Sequence, residues 1–322
     1  MAARFPKRPP SQPRAPRPRE DDQGGERRDR QRGRDDRPPQ RDERRRRRDD
    51  RPPAPAAAPG APPAAPAAPA APTAWEPQAA WYDQLQGAGG DDFYRDLVLP
   101  ATLRQLQARP GQRVLDVCCG QGVLGRTLAG HGVRVLGVDA SPALIAAAQS
   151  RAGASERYVV GDARALDATL GDERADHAAL VMALQDLDPI EPALAGIARR
   201  LPTGGRLVIV LSHPCYRIPK RTAWGWDEQW GIQFRRVDAY LTPQALPIKT
   251  HPGMPQDGAS STSFHRPLST YLVALGGAGF GVVAAEELCS ARRGTKGPRY
   301  MAEDRAAREI PVFLVLTAVR LG

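Results

Sequence analysis

The chain has 322 residues and a formal net charge of +10, but its charge and its proline are unevenly distributed. Residues 1–74 contain 19 of the 46 Lys and Arg residues, 11 of the 36 Asp and Glu residues and 17 of the 33 Pro residues, with Phe5 as their only aromatic side chain. This stretch has too few large apolar residues to form a core, so we expect a disordered Arg/Pro/Ala-rich tail at 1–74 and one nearly neutral domain at 75–322.

The sequence predicts neither a membrane span nor a secreted protein. No run approaches the roughly 18 consecutive apolar residues that a spanning helix needs, and the first ten residues lack the apolar stretch of a signal peptide. We therefore expect a cytoplasmic protein with no membrane partner. The chain has four cysteines and no C-x-x-C pair among them, so neither a metal site nor a disulfide framework is predicted.

The basic charge of the tail suggests nucleic acid as a partner. Arg and Asp alternate in short blocks over most of the tail, and only Arg44–Arg48 is an unbroken basic run. Because such a mixture attracts phosphate less than a pure basic run does, we predict at most a weak nucleic-acid contact through the tail. The oligomeric state is left open.

Beyond the tail, apolar spacing predicts elements in a regular alternation. A helix is predicted over 91–107, and Ser141-Pro142 marks the start of another because Ser is a good N-cap and Pro suits the first helical position. The remaining predictions are strands at 113–117, 133–138, 157–160, 176–184, 206–211, 282–288 and 310–319, and helices at 122–129, 190–201 and 268–276. Strands that alternate with helices indicate an α/β fold with a parallel sheet covered on both faces.

The segment Val114–Gly125, VLDVCCGQGVLG, is the main functional signal. Gly120, Gly122 and Gly125 fit the pattern G-x-G-x-x-G directly after a predicted strand, and Asp139 follows 19 residues beyond the first glycine. Such a turn brings backbone N–H groups close to a ligand at a helix N-terminus. A nucleotide-like cofactor is therefore predicted, and an NAD(P)-dependent oxidoreductase is one class that would use this pattern.

Two carboxylates favour a different cofactor. Asp116 lies just before the glycines, where it would repel the pyrophosphate of a dinucleotide. S-adenosylmethionine carries an ammonium and a sulfonium and no phosphate, so an acidic strand end favours its binding. Asp162 follows the third predicted strand and would lie at the same edge of the sheet.

With these motifs in place, residues 75–322 resemble the class I S-adenosylmethionine-dependent methyltransferases, in particular a bacterial small-molecule group of the type 11/25 kind. The resemblance rests on VLDVCCGQG, VDAS, GDA and LPTGGRLVIVL, which occur in the family's order. It implies a Rossmann-like, doubly wound, mostly parallel seven-stranded sheet. It also implies a C-terminal antiparallel hairpin and a lid insertion after the fifth strand, at about 213–266.

The resemblance also implies a cofactor site. Asp116 and the backbone from Cys118 through Gly120 to Gly122 would hold the amino-acid moiety, although the family usually has Gly where Cys118 stands. The other implied cofactor positions are Asp139 at the ribose, Asp162 and Ala163 at the adenine, and Gln185 near the reactive methyl.

The resemblance and the aromatic side chains of the insertion predict direct methyl transfer to a small-molecule acceptor. His213, His265 and Asp186 are the candidates for a general base, which is needed only when the acceptor must lose a proton. Aromatic residues of the insertion, including Trp224 and Trp230, indicate an aromatic-lined lid. The aromatic residues expected on the opposite lip of the site are Trp81, Tyr82 and Tyr94.

Two RNA-directed functions remain as alternatives. Cys215 would be the nucleophile of an RNA 5-methylcytosine methyltransferase, and the Arg-rich tail would suit RNA. Against this, no Pro-Cys follows the fourth strand and the domain is nearly neutral, which favours Cys215 as a small packing residue. A non-catalytic protein tethered to RNA by the tail is the other alternative.

Overall fold

The computed structural model describes residues 75–249, 260–291 and 296–322. The predictions for the tail at 1–74, its disorder and its contact with nucleic acid, lie outside these residues, as does the part of the lid insertion at 250–259. Among the helices of the described ranges, none combines the length and the apolar character needed to cross a bilayer.

The strands fall into one large sheet and two separate antiparallel pairs. In chain order they are β1 (Arg113–Val117), β2 (Arg134–Asp139), β3 (Glu156–Val160), β4 (His177–Val181), β5 (Arg206–Ser212), β6 (Thr222–Asp227), β7 (Ile232–Val237), β8 (Gln244–Lys249), β9 (Ser260–His265), β10 (Phe280–Leu288) and β11 (Phe313–Arg320).

The large sheet has seven strands in the order β10-β11-β5-β4-β1-β2-β3 within the described residues. Strands β1 to β5 pair in parallel, whereas β11 runs antiparallel to both β5 and β10. The expected class I methyltransferase fold is thereby confirmed, including the C-terminal antiparallel hairpin. Strand order reverses at β1, which has β2 on one side and β4 on the other, and open α/β sheets bind ligands at the carboxyl ends beside such a reversal.

The core lies on both faces of this sheet because alternate residues of a strand point to opposite sides. In β1, Leu115 and Val117 belong to one buried cluster and Val114 to the other. In β5, Leu207 and Ile209 similarly alternate with residues of the second cluster. Near-continuous apolar runs such as VLDV and RLVIVL are therefore what the sheet requires.

The helices cover the two faces. They are α1 (Ala79–Gln86), α2 (Leu99–Leu106), α3 (Val123–Gly130), α4 (Pro142–Ser150), α5 (Leu166–Leu170), α6 (Glu191–Ala198), α7 (Leu268–Gly277) and α8 (Tyr300–Glu309). Ser141 caps α4 as expected, since its hydroxyl accepts a hydrogen bond from the Leu144 N–H at 3.2 Å.

The structure differs from the predicted elements in several places, and the short helices α1 and α5 are among the elements that apolar spacing did not predict. The helix predicted over 91–107 is divided into a π-helical stretch at Tyr94–Val98 followed by α2. Helix α8 was not predicted, because its sequence YMAEDRAARE has little apolar periodicity and is stabilised by packing against β7. The described part of the insertion after β5 consists mainly of the pairs β6–β7 and β8–β9, whose strands the sequence did not reveal.

Candidate active site

The turn between β1 and α3 has the tight backbone that its glycines allow. Cys118, Gly120 and Gly122 have positive φ angles of 57°, 54° and 84°. Gly122 leaves no room for a side chain, because a Cβ there would lie 2.8 Å from the hydroxyl oxygen of Tyr158. Cys118, which stands where glycine is usual, adopts the left-handed conformation that non-glycine residues rarely populate. The turn is therefore shaped by close packing beneath it, and Cys118 and Gly120 line the cavity together with Tyr82.

Asp139 lies at the end of β2 and holds this turn. One carboxylate oxygen, Oδ2, accepts the N–H of Gly120 at 2.9 Å, and the other, Oδ1, accepts the N–H of Ser141 at 2.9 Å. Burial raises the pKa of Asp139, while these backbone hydrogen bonds oppose the rise. The backbone N–H of Ala140 also contributes, and because a carboxylate has about four acceptor sites, acceptor capacity for a hydroxyl group of a ligand remains.

Asp116 is buried under the turn, where its Oδ2 atom has no hydrogen-bond partner. Burial, and secondarily the charge of Asp139, raises the pKa of Asp116 to about 8. An orphaned buried carboxylate oxygen is costly unless a cation or donor reaches it. This position therefore fits the ammonium or sulfonium charge of S-adenosylmethionine and does not fit a pyrophosphate.

The end of β3 contributes Asp162 and Ala163. Asp162 accepts the N–H of Arg164 at 2.8 Å and forms an ion pair with the Arg164 guanidinium at 2.8 Å. The hydrogen bonds from Arg164 hold the pKa of Asp162 below its usual value. Ala163 is buried and forms part of the cavity wall beside this pair. A flat, small wall next to an ionised carboxylate suits a ring with an exocyclic amino group.

The end of β4 contributes Gln185 and Asp186. The Gln185 amide nitrogen donates to the carbonyl of Met182 at 2.5 Å, and its buried Oε1 atom has no partner. Burial raises the pKa of Asp186 to about 7, although Trp75 donates a hydrogen bond to this carboxylate. Asp186 therefore changes its protonation state near neutral pH, which is where a general base is most effective.

One cavity of about 1100 Å³ connects these strand ends with the lid. The residues on its strand-end wall, defined here as the cofactor half, are Cys118, Gly120, Asp139, Asp162, Ala163, Met182, Gln185 and Asp186. Asp116 and Gly122 lie behind this wall, so of the predicted cofactor residues six face the cavity directly.

The two candidate histidines lie in different environments. His213 is not part of the cavity wall, and both of its ring nitrogens have protein partners. Its Nδ1 accepts the N–H of Cys215 at 3.2 Å, and its Nε2 lies 2.9 Å from Glu287 Oε1. His265 does line the cavity, with its Nε2 donating to the carbonyl of Tyr240 at 2.7 Å. This geometry gives His213 a structural role and leaves His265 Nδ1 as an acceptor.

The lid wall is more basic than the sequence suggested. The residues of the insertion and its flanks that line the cavity, defined here as the lid half, are Pro214, Arg217, Ile218, Pro219, Lys220, Thr222, Arg235, Ile248, Thr262, Ser263, Phe264, His265 and Arg266. Trp224 and Trp230 are 44 % and 69 % exposed and do not line it. The expectation of an aromatic-lined lid is therefore wrong for these two residues, because Trp224 instead supports the guanidinium of Arg235.

The opposite lip is formed by residues that precede β1. Tyr82 and Tyr94 line the cavity as expected, whereas Trp81 does not. Trp75 lines it too and packs edge-on against Tyr82 with ring centroids 5.4 Å apart. No local sequence pattern indicates the hydrogen bond from Trp75 to Asp186, since 110 intervening residues separate the two along the chain.

Comparisons with known proteins agree with this geometry. Residues 114–205 match a family described as a methyltransferase domain. A demethylmenaquinone methyltransferase of Beutenbergia cavernae is 32% identical over 153 residues, which are 47% of this chain and 58% of that protein. A 2-phytyl-1,4-naphtoquinone methyltransferase of Synechococcus elongatus is 37% identical over 115 residues, which are 34% of this chain and 49% of that protein.

The chain thus spans only about half the length of the curated relatives that it matches. Coverage is greater for a crystal structure of an S-adenosylmethionine-dependent methyltransferase from Mesorhizobium loti. That structure has a TM-score of 0.55 and 28% identity, and the match covers 70% of this chain and 97% of that one. The family match, the sequence relatives and this structure confirm the resemblance to the class I S-adenosylmethionine-dependent methyltransferases that the sequence motifs indicated.

Proposed function

We propose that this protein transfers the methyl group of S-adenosylmethionine directly to a small-molecule acceptor bound in the same cavity. The observation that carries the proposal is that one space of about 1100 Å³ joins an acidic strand edge to a separate wall supplied by the lid. Sites for a single drug-sized ligand usually measure about 300 to 1000 Å³, so this cavity has room for a cofactor and an acceptor together.

The cofactor half holds the cofactor in this proposal. Asp139 accepts a ribose hydroxyl with the acceptor capacity that its backbone hydrogen bonds leave unused. Asp116 stabilises the positive end of the molecule through its unpaired Oδ2 atom, and Gln185 Oε1 accepts a hydrogen bond beside it. Asp162 and Ala163 border the adenine ring.

The bound cofactor supplies a methyl group on a positively charged sulfur, which is already reactive toward a nucleophile. The protein's contribution is therefore to align the acceptor and exclude water, and to accept a proton where the acceptor must lose one. Asp186 is the proposed base, because it lines the cavity beside Gln185 and its pKa is raised to about 7. His265 Nδ1 is the second choice, and His213 has no free nitrogen for this role.

The acceptor is proposed to be aromatic. Phe93, Tyr94, Phe264, Tyr271 and Phe313 line the cavity, so a planar ring would find apolar surface on several sides. The names of the sequence relatives point to quinone-type substrates, which have such rings. The family match ends at residue 205, before the lid begins, so the substituents on the ring must be inferred from this chain alone.

The test uses the full chain in two measurements. Calorimetry should detect S-adenosylmethionine binding that Asp139→Asn weakens and Asp172→Asn, on an exposed turn, does not. Transfer of a labelled methyl group to fractionated cell extract should then yield a labelled small molecule. Binding of NAD(H) in preference to S-adenosylmethionine, or label found only in RNA, would contradict the proposal.

A further inference from the structure

The lid half of the cavity contains cations without an acidic partner. Arg217, Lys220 and Arg235 all line the cavity, and no carboxylate of the described residues lies within ion-pair distance of any of them. Two other cavity arginines behave differently. Arg164 is paired with Asp162 at 2.8 Å, and Arg266 is paired with Asp188 at 2.6 Å.

Arg235 is held in place by groups that do not neutralise it. Its Nε donates to the carbonyl of Tyr216 at 2.9 Å, and its Nη2 donates to Thr222 Oγ1 at 2.7 Å. The ring of Trp224 supports the guanidinium, with 5.1 Å between the guanidinium carbon and the ring centroid. A charged group fixed this way has lost much of its freedom before any ligand arrives, which favours the binding of an anion.

Arg217 is the second arginine of the lid half that has no acidic partner among the described residues. Its guanidinium carbon lies 5.4 Å from the ring centroid of Phe313, at the edge of β11, and no hydrogen bond from its side chain is seen among the described residues. Partial burial, and secondarily the charge of Arg235, lowers the pKa of Arg217. Two neighbouring cations repel each other, and a bound anion between them relieves that repulsion.

We propose that the acceptor carries an oxyanion group, a carboxylate or a phosphate, and that Arg217 and Arg235 bind it as specificity-determining residues. Guanidinium groups present paired N–H donors that match both oxyanions. The inference rests on the proposed methyl transfer and names the class of its acceptor.

The arrangement also sets the direction in which the acceptor binds. The cationic cofactor lies against the acidic strand ends at Asp116 and Asp139, and the anionic end of the acceptor lies against the lid. The end that receives the methyl group then faces Asp186, on the strand-end wall. A neutral acceptor of the same shape would leave the two arginines desolvated and unpaired, and this penalty is the basis of the selectivity.

Simple aromatic probes test the proposed anion site at Arg217 and Arg235 without knowledge of the natural acceptor. Affinities of the full-length protein for 4-hydroxybenzoate, phenyl phosphate and the neutral isostere 4-hydroxybenzamide are measured by calorimetry. We expect the better anionic probe to bind about tenfold more tightly than the amide, as a charge-assisted pair would give. The affinities for the carboxylate and the phosphate probe show which oxyanion the proposed anion site prefers.

Variants show where the preference resides. Arg217→Gln and Arg235→Gln should each remove most of the preference for the anion, and Arg235→Lys should retain part of it. Arg236→Gln is the matched control, since it removes one charge from the neighbouring position of β7, where the side chain is exposed, 4.0 Å from Asp238 and outside the cavity wall. This control should keep the preference intact.

The outcomes separate this inference from the methyl-transfer proposal. Equal binding of the charged and neutral probes, no binding of any probe at millimolar concentration, or an equal loss in Arg236→Gln would overturn it. S-adenosylmethionine binding is measured on the same proteins, and its retention in the variants shows that they are folded. Failure of the wild-type protein to bind S-adenosylmethionine would refute the proposed function and leave the probe comparison valid.

Discussion

The two halves of the cavity have opposite chemistry and different origins. The cofactor half is acidic, with Asp116 buried beneath it and Asp139 and Asp186 on its wall, and it is built at the ends of parallel strands. The lid half is basic, with Arg217 and Arg235 on its wall, and it is built on and beside the small pair β6–β7. A cationic cofactor and an anionic acceptor would therefore be drawn to opposite ends of one space.

This difference shows where the fold restricts sequence and where it leaves freedom. At the strand ends, the register of β1 with β2 and of β2 with β3 brings the carboxylates to one edge, so any chain with this sheet has the same frame for a cofactor. The lid follows β5 as an insertion whose described strands form the separate pairs β6–β7 and β8–β9. Its side chains can change without altering the sheet, which makes it the place where acceptor specificity can vary.

The largest expected effect is the loss of methyl-transfer rate when Asp186, the proposed base, is replaced. Asp186→Asn should lower kcat about 100- to 10,000-fold if Asp186 is the base, because the amide cannot accept the proton. Because its pKa is about 7, kcat/KM for the acceptor, measured at saturating S-adenosylmethionine in the wild-type enzyme, should rise with pH through this value. Steady-state methyl transfer between pH 5.5 and 9 measures both quantities.

The same variant should leave cofactor binding nearly unchanged, which calorimetry can verify. His265→Gln serves as the comparison, since it removes the second candidate base from the lid half of the same cavity. A full rate for Asp186→Asn, with the pH dependence retained, would mean that the acceptor needs no proton acceptor at this position.

A smaller effect is expected in the cofactor half. Asp139→Ala should weaken S-adenosylmethionine binding by about 1 to 3 kcal/mol, because it removes the acceptor of the ribose hydroxyls. It also frees the N–H groups of Gly120 and Ser141, so thermal unfolding must be measured in parallel. Affinity for the anionic probes of the lid half should change little. Unchanged cofactor affinity would show that Asp139 acts only on the turn.

The strand, turn and helix that carry the cofactor half could be located from the sequence because their determinants are local. Asp116, Gly120 and Gly122 occur within seven residues of one another, and the strand and turn that contain them follow from apolar runs and glycine alone. Parallel pairing followed from the alternation of strands and helices, whereas the seven-stranded arrangement with its antiparallel hairpin was implied by the family resemblance. Asp186 was predicted as a candidate base only from its place after the fourth strand, and its raised pKa depends on burial that no local pattern encodes.

The lid half could not be predicted in the same way. In β6–β7, Arg235 faces Trp224 across the pair and is held by Tyr216 and Thr222, and none of these partners is adjacent to it in sequence. The dense aromatic residues suggested an apolar cover, whereas the register places an arginine at the cavity and uses an indole ring to support it. Cross-strand pairing in a short antiparallel pair decides such details, and the sequence pattern does not fix its register.

Cofactor binding should release protons if Asp116 meets a positive charge. In the free protein its pKa is about 8, so the carboxyl is mostly protonated at pH 7. A cation bound nearby favours the carboxylate and expels the proton, and affinity should consequently increase up to about fivefold between pH 7 and pH 8. Calorimetry in buffers with different ionisation enthalpies measures the number of protons released. A value of zero at pH 7, with tight binding, would remove Asp116 from the site.

The last prediction concerns stability. Ionisation of Asp116 at higher pH should favour cofactor binding, but it should destabilise the folded protein when no cofactor is bound. A buried Asp116 with a folded-state pKa of about 8, against an ordinary value of 3.8, keeps its proton over a pH range in which the unfolded chain loses it. The folded state therefore binds more protons than the unfolded state, so this residue makes the protein less stable as pH rises from about 4 to about 8. Asp116→Asn removes the titration and should raise Tm at pH 8, by about 2 to 4 °C for each kcal/mol of pH-dependent destabilisation that it removes from a domain of this size. The increase should vanish near pH 4, where both proteins are neutral at this position. Thermal unfolding of the two proteins at both pH values tests the argument, and a pH-independent difference in Tm would mean that packing, and not the buried charge, separates them.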